Sequence, residues 1–480
     1  MNFIAPALTP AMPEILLVAL TCVVLIVDVL LKKDVRTLTY SLAQASLLIT
    51  LISVFATRSD KTILTFSDAY IQDSLSFYLK VFILILSMVA LLYSRDYLRQ
   101  RNMERGEYYS LALFATLGML IMVSAYSLLN IYLGLELLSL SLYAMVAFDR
   151  TSARSSEAAM KYFVLGAIAS GMLLYGMSIQ YGLSGTLNIN EINALLQQGG
   201  GAISKPQVFA LIFVVVALAF KLGAVPFHMW VPDIYHGAPT SVTLFIGAAP
   251  KLAAFAMVMR LLVAGLGSLH EHWQGMLIIL AVLSIGIGNI VAIAQTNIKR
   301  MLAYSTISHV GFIILGILSG TEEGYSAAMF YTIIYAFMSL GAFGVILLRS
   351  REGFEAEEIS DFSGMAKTHP WFAVILMLIL LSMAGVPPTA GFYAKLVVLQ
   401  AVINVDIVWL AIYAVILSVV GAYYYLRVLK VMYFDDADES ADHTLTASVD
   451  ARALLSVNGV MMLVLGIIPG PLLAWCLAAI

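Results

Sequence analysis

Five ionisable residues of this chain stand inside apolar runs. Lys221 sits in Val-Ala-Leu-Ala-Phe-Lys-Leu-Gly, Lys251 within the run from Gly237 to Ala264, and Lys395 in Ala-Gly-Phe-Tyr-Ala-Lys-Leu-Val-Val. Glu136 lies in Ile-Tyr-Leu-Gly-Leu-Glu-Leu-Leu-Ser-Leu, and His309 in Tyr-Ser-Thr-Ile-Ser-His-Val-Gly-Phe. A lysine desolvated among apolar groups can give up and take back a proton, whereas an arginine stays charged. The chemistry this set could do is proton transfer. The bland alternative is a group of buried structural ion pairs, with His309 as a packing residue. Glu157 and Lys161 form an i,i+4 pair, which reads either as a structural salt bridge or as a charge relay adjoining Glu136.

The chain that must position these residues has 480 residues, 61% hydrophobic and 11% charged. Soluble chains carry roughly 45–50% apolar and about 25% charged residues, so this one cannot cover a water-facing surface. Soluble enzymes, nucleic-acid binders and disordered proteins are excluded, and no nucleic-acid partner is expected. The only cysteines are Cys22 and Cys476, too few for an iron–sulfur cluster or a disulfide framework. No dinucleotide-binding glycine fingerprint occurs, and the 23 methionines read as flexible packing. Neither a cofactor nor a metal is expected in this chain.

A spanning helix needs about 20 mostly apolar residues. Reading between charge clusters gives an all-α polytopic membrane protein of fourteen spans. The seventh lies near 206–228, the twelfth near 370–388 continuing to about 403, and the fourteenth near 451–476. The first run is not a cleavable signal, because Lys32 and Lys33 follow it and no cation precedes it. Seventeen Lys and Arg fall in loops after odd-numbered spans and three, Arg58, Lys61 and Lys205, on the other side. That bias puts both termini outside. Six cations remain within spans. Lys80 and Arg260 sit near outer helix ends, where snorkelling would accommodate them, and Lys161 opens the sixth span. Lys221, Lys251 and Lys395 lack that explanation. The acids Glu355, Glu357, Glu358 and Asp361, and the run from Asp435 to Glu439, read as solvated inner loops.

Two spans are interrupted. The seventh carries Gly223-Ala-Val-Pro226 and the twelfth Gly385-Val-Pro387-Pro388. A bilayer tolerates such breaks only where protein or water re-satisfies the backbone, and paired breaks point to repeats flanking a transport site. Glu136 and His309 are 173 residues apart, Lys221 and Lys395 174. Matching spans 4–8 against 9–13 gives two inverted five-helix repeats. The expected organisation is 1–106 (spans 1–3), 107–264 (first repeat), 265–433 (second repeat) and 434–480 (inner loop and span 14).

Residues Phe220-Lys221-Leu-Gly-Ala-Val-Pro226-Phe-His228-Met-Trp230-Val-Pro232-Asp233-Ile-Tyr-His-Gly237-Ala-Pro239-Thr resemble the signature of the antiporter-like, proton-pumping subunits of NADH-quinone oxidoreductase, respiratory complex I. Gln295-Thr-Asn297-Ile-Lys299-Arg300-Met-Leu-Ala-Tyr304-Ser305-Thr-Ile-Ser308-His309-Val-Gly311 resembles the same family's second hallmark. The likeness covers nearly the whole chain. The M sibling has an acid where Lys395 stands and the L sibling carries a long C-terminal lateral helix, which favours the N branch. The resemblance implies that Glu136, Lys221, Lys251, His309 and Lys395 form a proton-transfer axis, with Glu136 and Lys221 as its inner charge pair. It also implies supporting places for Glu157, Lys161, Pro226, Pro387 and Pro388. FMN, iron–sulfur clusters and quinone would belong to other subunits, with M and K as neighbours in a bacterial inner membrane. An Mrp-type cation/proton antiporter subunit is the alternative.

Overall fold

The computed structural model describes residues 6–30, 36–198, 204–350, 353–436 and 448–480. Its helices are α1 (Met12–Leu30), α2 (Arg36–Ala56), α3 (Ser74–Gln100), α4 (Gly106–Ser124), α5 (Leu128–Val146), α6 (Ala153–Ser184), α7 (Ile189–Gln198) and α8 (Lys205–Leu222). There follow α9 (Trp230–Gly237), α10 (Thr240–Gly247), α11 (Ala249–Val258, continued by a π turn over Met259–Gly265), α12 (His270–Ile293), α13 (Ile298–Leu318) and α14 (Glu322–Arg349). The last are α15 (Met365–Thr368), α16 (Pro370–Ala384), α17 (Ala390–Asn404), α18 (Val408–Phe434), α19 (Val449–Ile467) and α20 (Gly470–Ala479).

Thirteen of the described helical runs are long and apolar enough to cross a membrane, and α16 with α17 makes a fourteenth from two short pieces. The protein is thus an all-α polytopic membrane protein. The fourteenth span is shorter than expected: Pro469 ends it, so α19 stops at Ile467 and α20 is a separate ten-residue helix. Also unanticipated are α7, a short amphipathic helix, and a hairpin pairing Ile63–Thr65 with Tyr70–Gln72.

The helices carrying the ionisable set are seated by close backbone contact. A methyl on Gly118 would stand 2.7 Å from the Gly134 carbonyl, so α4 and α5 approach as only small residues allow. The pair α12 and α13 does the same at Gly288, where a methyl would meet the Ser308 amide at 2.7 Å. Glu136 is therefore fixed two residues beyond one crossing and His309 one residue beyond the other. Both α13 and α14 are buried along almost their whole length.

Both interruptions take the same form. Gly223 and Gly385 adopt left-handed φ angles of 85° and 84°, which a side chain would strain. The Gly223 amide donates to the Ala219 and Phe220 carbonyls, and Ala224 N to Ala219 O. Correspondingly, Gly385 donates to Leu381 and Ser382, and Val386 N to Leu381 O. A cis peptide follows three residues after each glycine's position, at Val225–Pro226 and Pro387–Pro388. This register sets the two breaks 162 residues apart, rather than the 173 or 174 suggested by the ionisable residues. A third break lies between α10 and α11 at Ala248, with φ −112° and ψ −94°.

Candidate functional site

The first half-helix of each break ends on a carbonyl that its own helix cannot satisfy. A lysine answers both, buried at Lys251 and half-buried at Lys395. Lys251 Nζ donates to the Leu222 carbonyl at 2.8 Å, and Lys395 Nζ to the Ala384 carbonyl at 2.9 Å. Each accepting residue immediately precedes its left-handed glycine. Lys251, not Lys221, is therefore the chemical counterpart of Lys395, which explains why the sequence register was imperfect. Lys395 has a second acceptor, Ser418 Oγ at 2.7 Å, and its ammonium stands 5.2 Å from the Phe312 ring centre. Lys251 lies 5.6 Å from the ring of Trp230. These bonds leave the lysines held by neutral acceptors, so each can carry or release its proton without breaking an ion pair.

Lys221, two residues before Gly223, donates to Ser139 Oγ at 2.9 Å. Ser139 is three residues beyond Glu136 on α5. Among the described residues Glu136 and Lys221 make no contact ion pair; Lys221 is held by the Ser139 hydroxyl, and Glu136 Oε1 has no hydrogen-bond partner. Lys221, Ser139 and Lys251 share the wall of one small, mostly apolar space with Tyr162 and Trp230. Lys221 and Lys251 thus meet at one space, with Glu136 three residues before Ser139 on α5.

His309 is 3% exposed and held at both ring nitrogens. Nδ1 lies 2.7 Å from the Tyr331 hydroxyl and Nε2 3.0 Å from that of Tyr425, which also bonds Ser305. Phenols donate or accept, so they fit either tautomer of the ring. Tyr335 packs against the same imidazole, 5.0 Å between ring centres, and donates to Thr306 at 2.7 Å. The histidine sits among the hydroxyls of Tyr331 and Tyr425, both of its ring nitrogens satisfied.

Glu157 and Lys161 form the expected pair at 2.9 Å, but both are exposed and Lys161 equally bonds Asp233 at 2.8 Å. Asp233 also takes Arg300 at 3.2 Å. This cluster ties α6, α9 and α13 together. Pro226, Pro387 and Pro388 lie exposed in the breaks and shape the backbone rather than line the buried site.

Two readings of the sequence are corrected. Lys80 and Arg260 do not snorkel. Lys80 is 3% exposed and meets Glu14 at 2.6 Å and the Tyr70 hydroxyl at 2.8 Å. Arg260, 4% exposed, forks onto Asp73 at 2.7 and 2.8 Å and onto the Val123 carbonyl. Their partners lie 66 and 187 residues away, so no local pattern announces them. The acids after α14 are not simply solvated. Glu355 pairs with Arg101 and accepts from Tyr97 and Thr240, while Glu357 takes Arg154 at 2.8 Å, Lys299 at 3.5 Å and His236 at 3.6 Å. They strap this loop across the ends of α3, α6, α9 and α13. Glu358 and Asp361 cap a short turn, and Asp436 is exposed beside Lys367. Asp438 and Glu439 lie outside the described residues.

Burial alone would raise the Glu357 carboxyl, but His236, Lys299 and Arg154 outweigh it and hold it at about 2, against an ordinary 4.5. A depressed folded value contributes stability that is complete above the unfolded value and disappears as the pH falls through the folded one. Amide exchange across 353–362 should therefore stay protected from pH 7 to pH 5 and open only as the pH approaches 2. In Glu357→Gln the protection should already be reduced at pH 7; equal protection in both proteins would show that the charge does not hold the strap.

Two broken helices whose terminal carbonyls are met by lysines without carboxylate partners, with a histidine caged by tyrosine hydroxyls on a neighbouring helix, define an antiporter-like ion-translocating membrane subunit. Residues 125–421 match the family described as NADH:quinone oxidoreductase/Mrp antiporter, TM. NADH-quinone oxidoreductase subunit N of Thioalkalivibrio sulfidiphilus is 60% identical over 480 residues, all of both chains. That of Thiobacillus denitrificans is 54% identical over 98% of this chain and 97% of its own. A chain of respiratory complex I from Thermus thermophilus superposes with a TM-score of 0.82 at 28% identity, covering 97% of this chain and all of that one. A chain of the Mrp complex from Dietzia, at 20% identity, shares the fold with a TM-score of 0.81 over 98% of this chain and 96% of its own. The chain belongs to the NADH:quinone oxidoreductase/Mrp antiporter family, in its NADH-quinone oxidoreductase subunit N branch.

Proposed function

We infer that this chain is a proton-translocating membrane subunit of NADH-quinone oxidoreductase, without redox chemistry of its own, working through Glu136, Lys221, Lys251, His309 and Lys395. The observation that carries the reading is the repeated use of a lysine, without a carboxylate partner, on the terminal carbonyl of a broken helix. A neutral acceptor holds the ammonium in place yet does not demand its charge, which suits a group that must alternate between protonation states. Glu136 and Lys221 communicate through Ser139, Lys251 and His309 pass protons onward, and Lys395 delivers them outward. Residues 107–264 and 265–433 act as the two repeats, the second of which contains the His309 cage.

The finer placement follows from the same reading. Other subunits carry FMN, iron–sulfur clusters and quinone; M and K flank this chain; and the complex sits in a bacterial inner membrane with both termini on the outer side. An Mrp-type antiporter would share the fold, but identity of 60% to a subunit N relative against 20% to the Mrp chain favours the oxidoreductase. Affinity purification of the tagged chain from its native membrane tests this. Recovery with flavin- and iron–sulfur-containing subunits is expected, while recovery without them, together with sodium/proton exchange in vesicles, would overturn it.

A further inference from the structure

A cavity of about 400 Å³ lies away from the ionisable set, between α3, α14, α19 and α20. Its walls include Phe82, Val89, Leu340, Val457 and Leu465, and apart from Tyr93, Asn458 and the Trp475 indole they are wholly apolar. From Phe82 to Tyr93 it follows eleven residues of α3, about 16 Å of helix rise. One leaflet of hydrocarbon is about 15 Å deep, so the slot has the length and direction of a single acyl chain.

The mouth has interfacial chemistry. Trp475, 51% exposed, stacks on Tyr78 at 6.1 Å and 17°. Tyr78 meets Phe77 edge-on at 5.2 Å, and the Arg58 guanidinium lies 4.8 Å from the Phe77 ring centre. Aromatic rings of this kind mark the level of lipid headgroups. Arg58 is half exposed, its only ion-pair contact among the described residues a 3.9 Å approach to the solvated Asp60. It is also one of the three cations on the side that the charge bias otherwise keeps empty. A cation there, beside aromatic rings and an acyl-sized slot, has a reason if it meets a phosphate.

We propose that this slot is a phospholipid site: one acyl chain fills the cavity and the phosphate reaches Arg58. The preferred lipid is anionic, because a net negative headgroup keeps its charge against the guanidinium whereas a zwitterion offsets it. A basic residue at a lipid surface is worth about fivefold in affinity.

The test uses the whole complex in nanodiscs carrying a trace of phosphatidylglycerol with a diazirine in one acyl chain. Photo-adducts are expected on 74–100 and 449–479, at least about threefold above those from the matching phosphatidylcholine probe. Val457→Trp, which enters the slot from a position 60% exposed, should remove most of them, and Arg58→Gln should abolish the headgroup preference. NADH oxidation should be unchanged in both variants. Labelling spread evenly over lipid-facing helices, or insensitive to Val457→Trp, would overturn the proposal. Equal labelling by a phosphate-free isoprenoid probe, or crosslinks from Val457 to another subunit, would do so as well.

Discussion

Lys395→Arg should leave a fully assembled complex that pumps poorly. Arginine keeps the positive charge and can still donate to the Ala384 carbonyl and Ser418 hydroxyl that now hold Lys395. It cannot deliver the proton, since guanidinium does not deprotonate within a protein. General acid–base groups are worth roughly 10²–10⁴-fold, so pumping through this subunit should fall by at least about tenfold. A merely structural cation would tolerate the exchange. The measurement is proton uptake or release by vesicles per NADH oxidised, with assembly verified on native gels; wild-type pumping by the arginine variant would refute the assignment.

Gly391→Ala should act on the fold rather than the chemistry. A methyl there would stand 1.8 Å from the Ser382 carbonyl oxygen, whose own residue accepts the Gly391 amide on its hydroxyl at 2.9 Å. Nothing flexible can yield, because the clash is with backbone. The two halves of the twelfth span must separate, and Lys395, one turn further on, moves with them. Overpacking a tight core costs about 1–3 kcal/mol and a backbone collision lies at or beyond the upper end. The expected outcome is loss of most assembled complex from the membrane, measured by quantitative immunoblot. Gly182→Ala, where a methyl meets nothing within 4 Å, should be neutral. Equal assembly of both variants would contradict the packing.

These effects also show what could be read from the residues alone. Lys221, Lys251, Lys395, Glu136 and His309 were visible because ionisable groups in apolar runs are costly and therefore conspicuous. The Gly–Pro breaks were visible because proline disrupts a helix from within. What each lysine touches was not. The acceptors for Lys251 and Lys395 are main-chain carbonyls, which every residue possesses, and Ser139 and Ser418 are unremarkable among many serines. The spacing that sets Lys221 against Lys395 is not the spacing of the breaks, and the cations found on the two break carbonyls are Lys251 and Lys395. Charge position misled for Lys80 and Arg260. Their depth suggested water-seeking ends, but Glu14 and Asp73 come from other helices to meet them. The acids at 355 and 357 read as solvent-facing in sequence because their partners, Arg101, Arg154 and Lys299, are scattered through the chain.

The fold also narrows the role of Glu136. Lys221 is held by the Ser139 hydroxyl and not by a contact ion pair with Glu136, so its charge is not locked to that carboxylate; separating a closed buried pair would cost several kcal/mol.

The central claim is that protons cross the membrane through these buried groups. It is tested most directly by the number of protons pumped per NADH oxidised in vesicles containing assembled complex with Lys221→Ala or Glu136→Ala. A lower ratio in each, with assembly intact, is what the structure predicts. An unchanged ratio in both would leave the buried charges as scaffold and contradict the account.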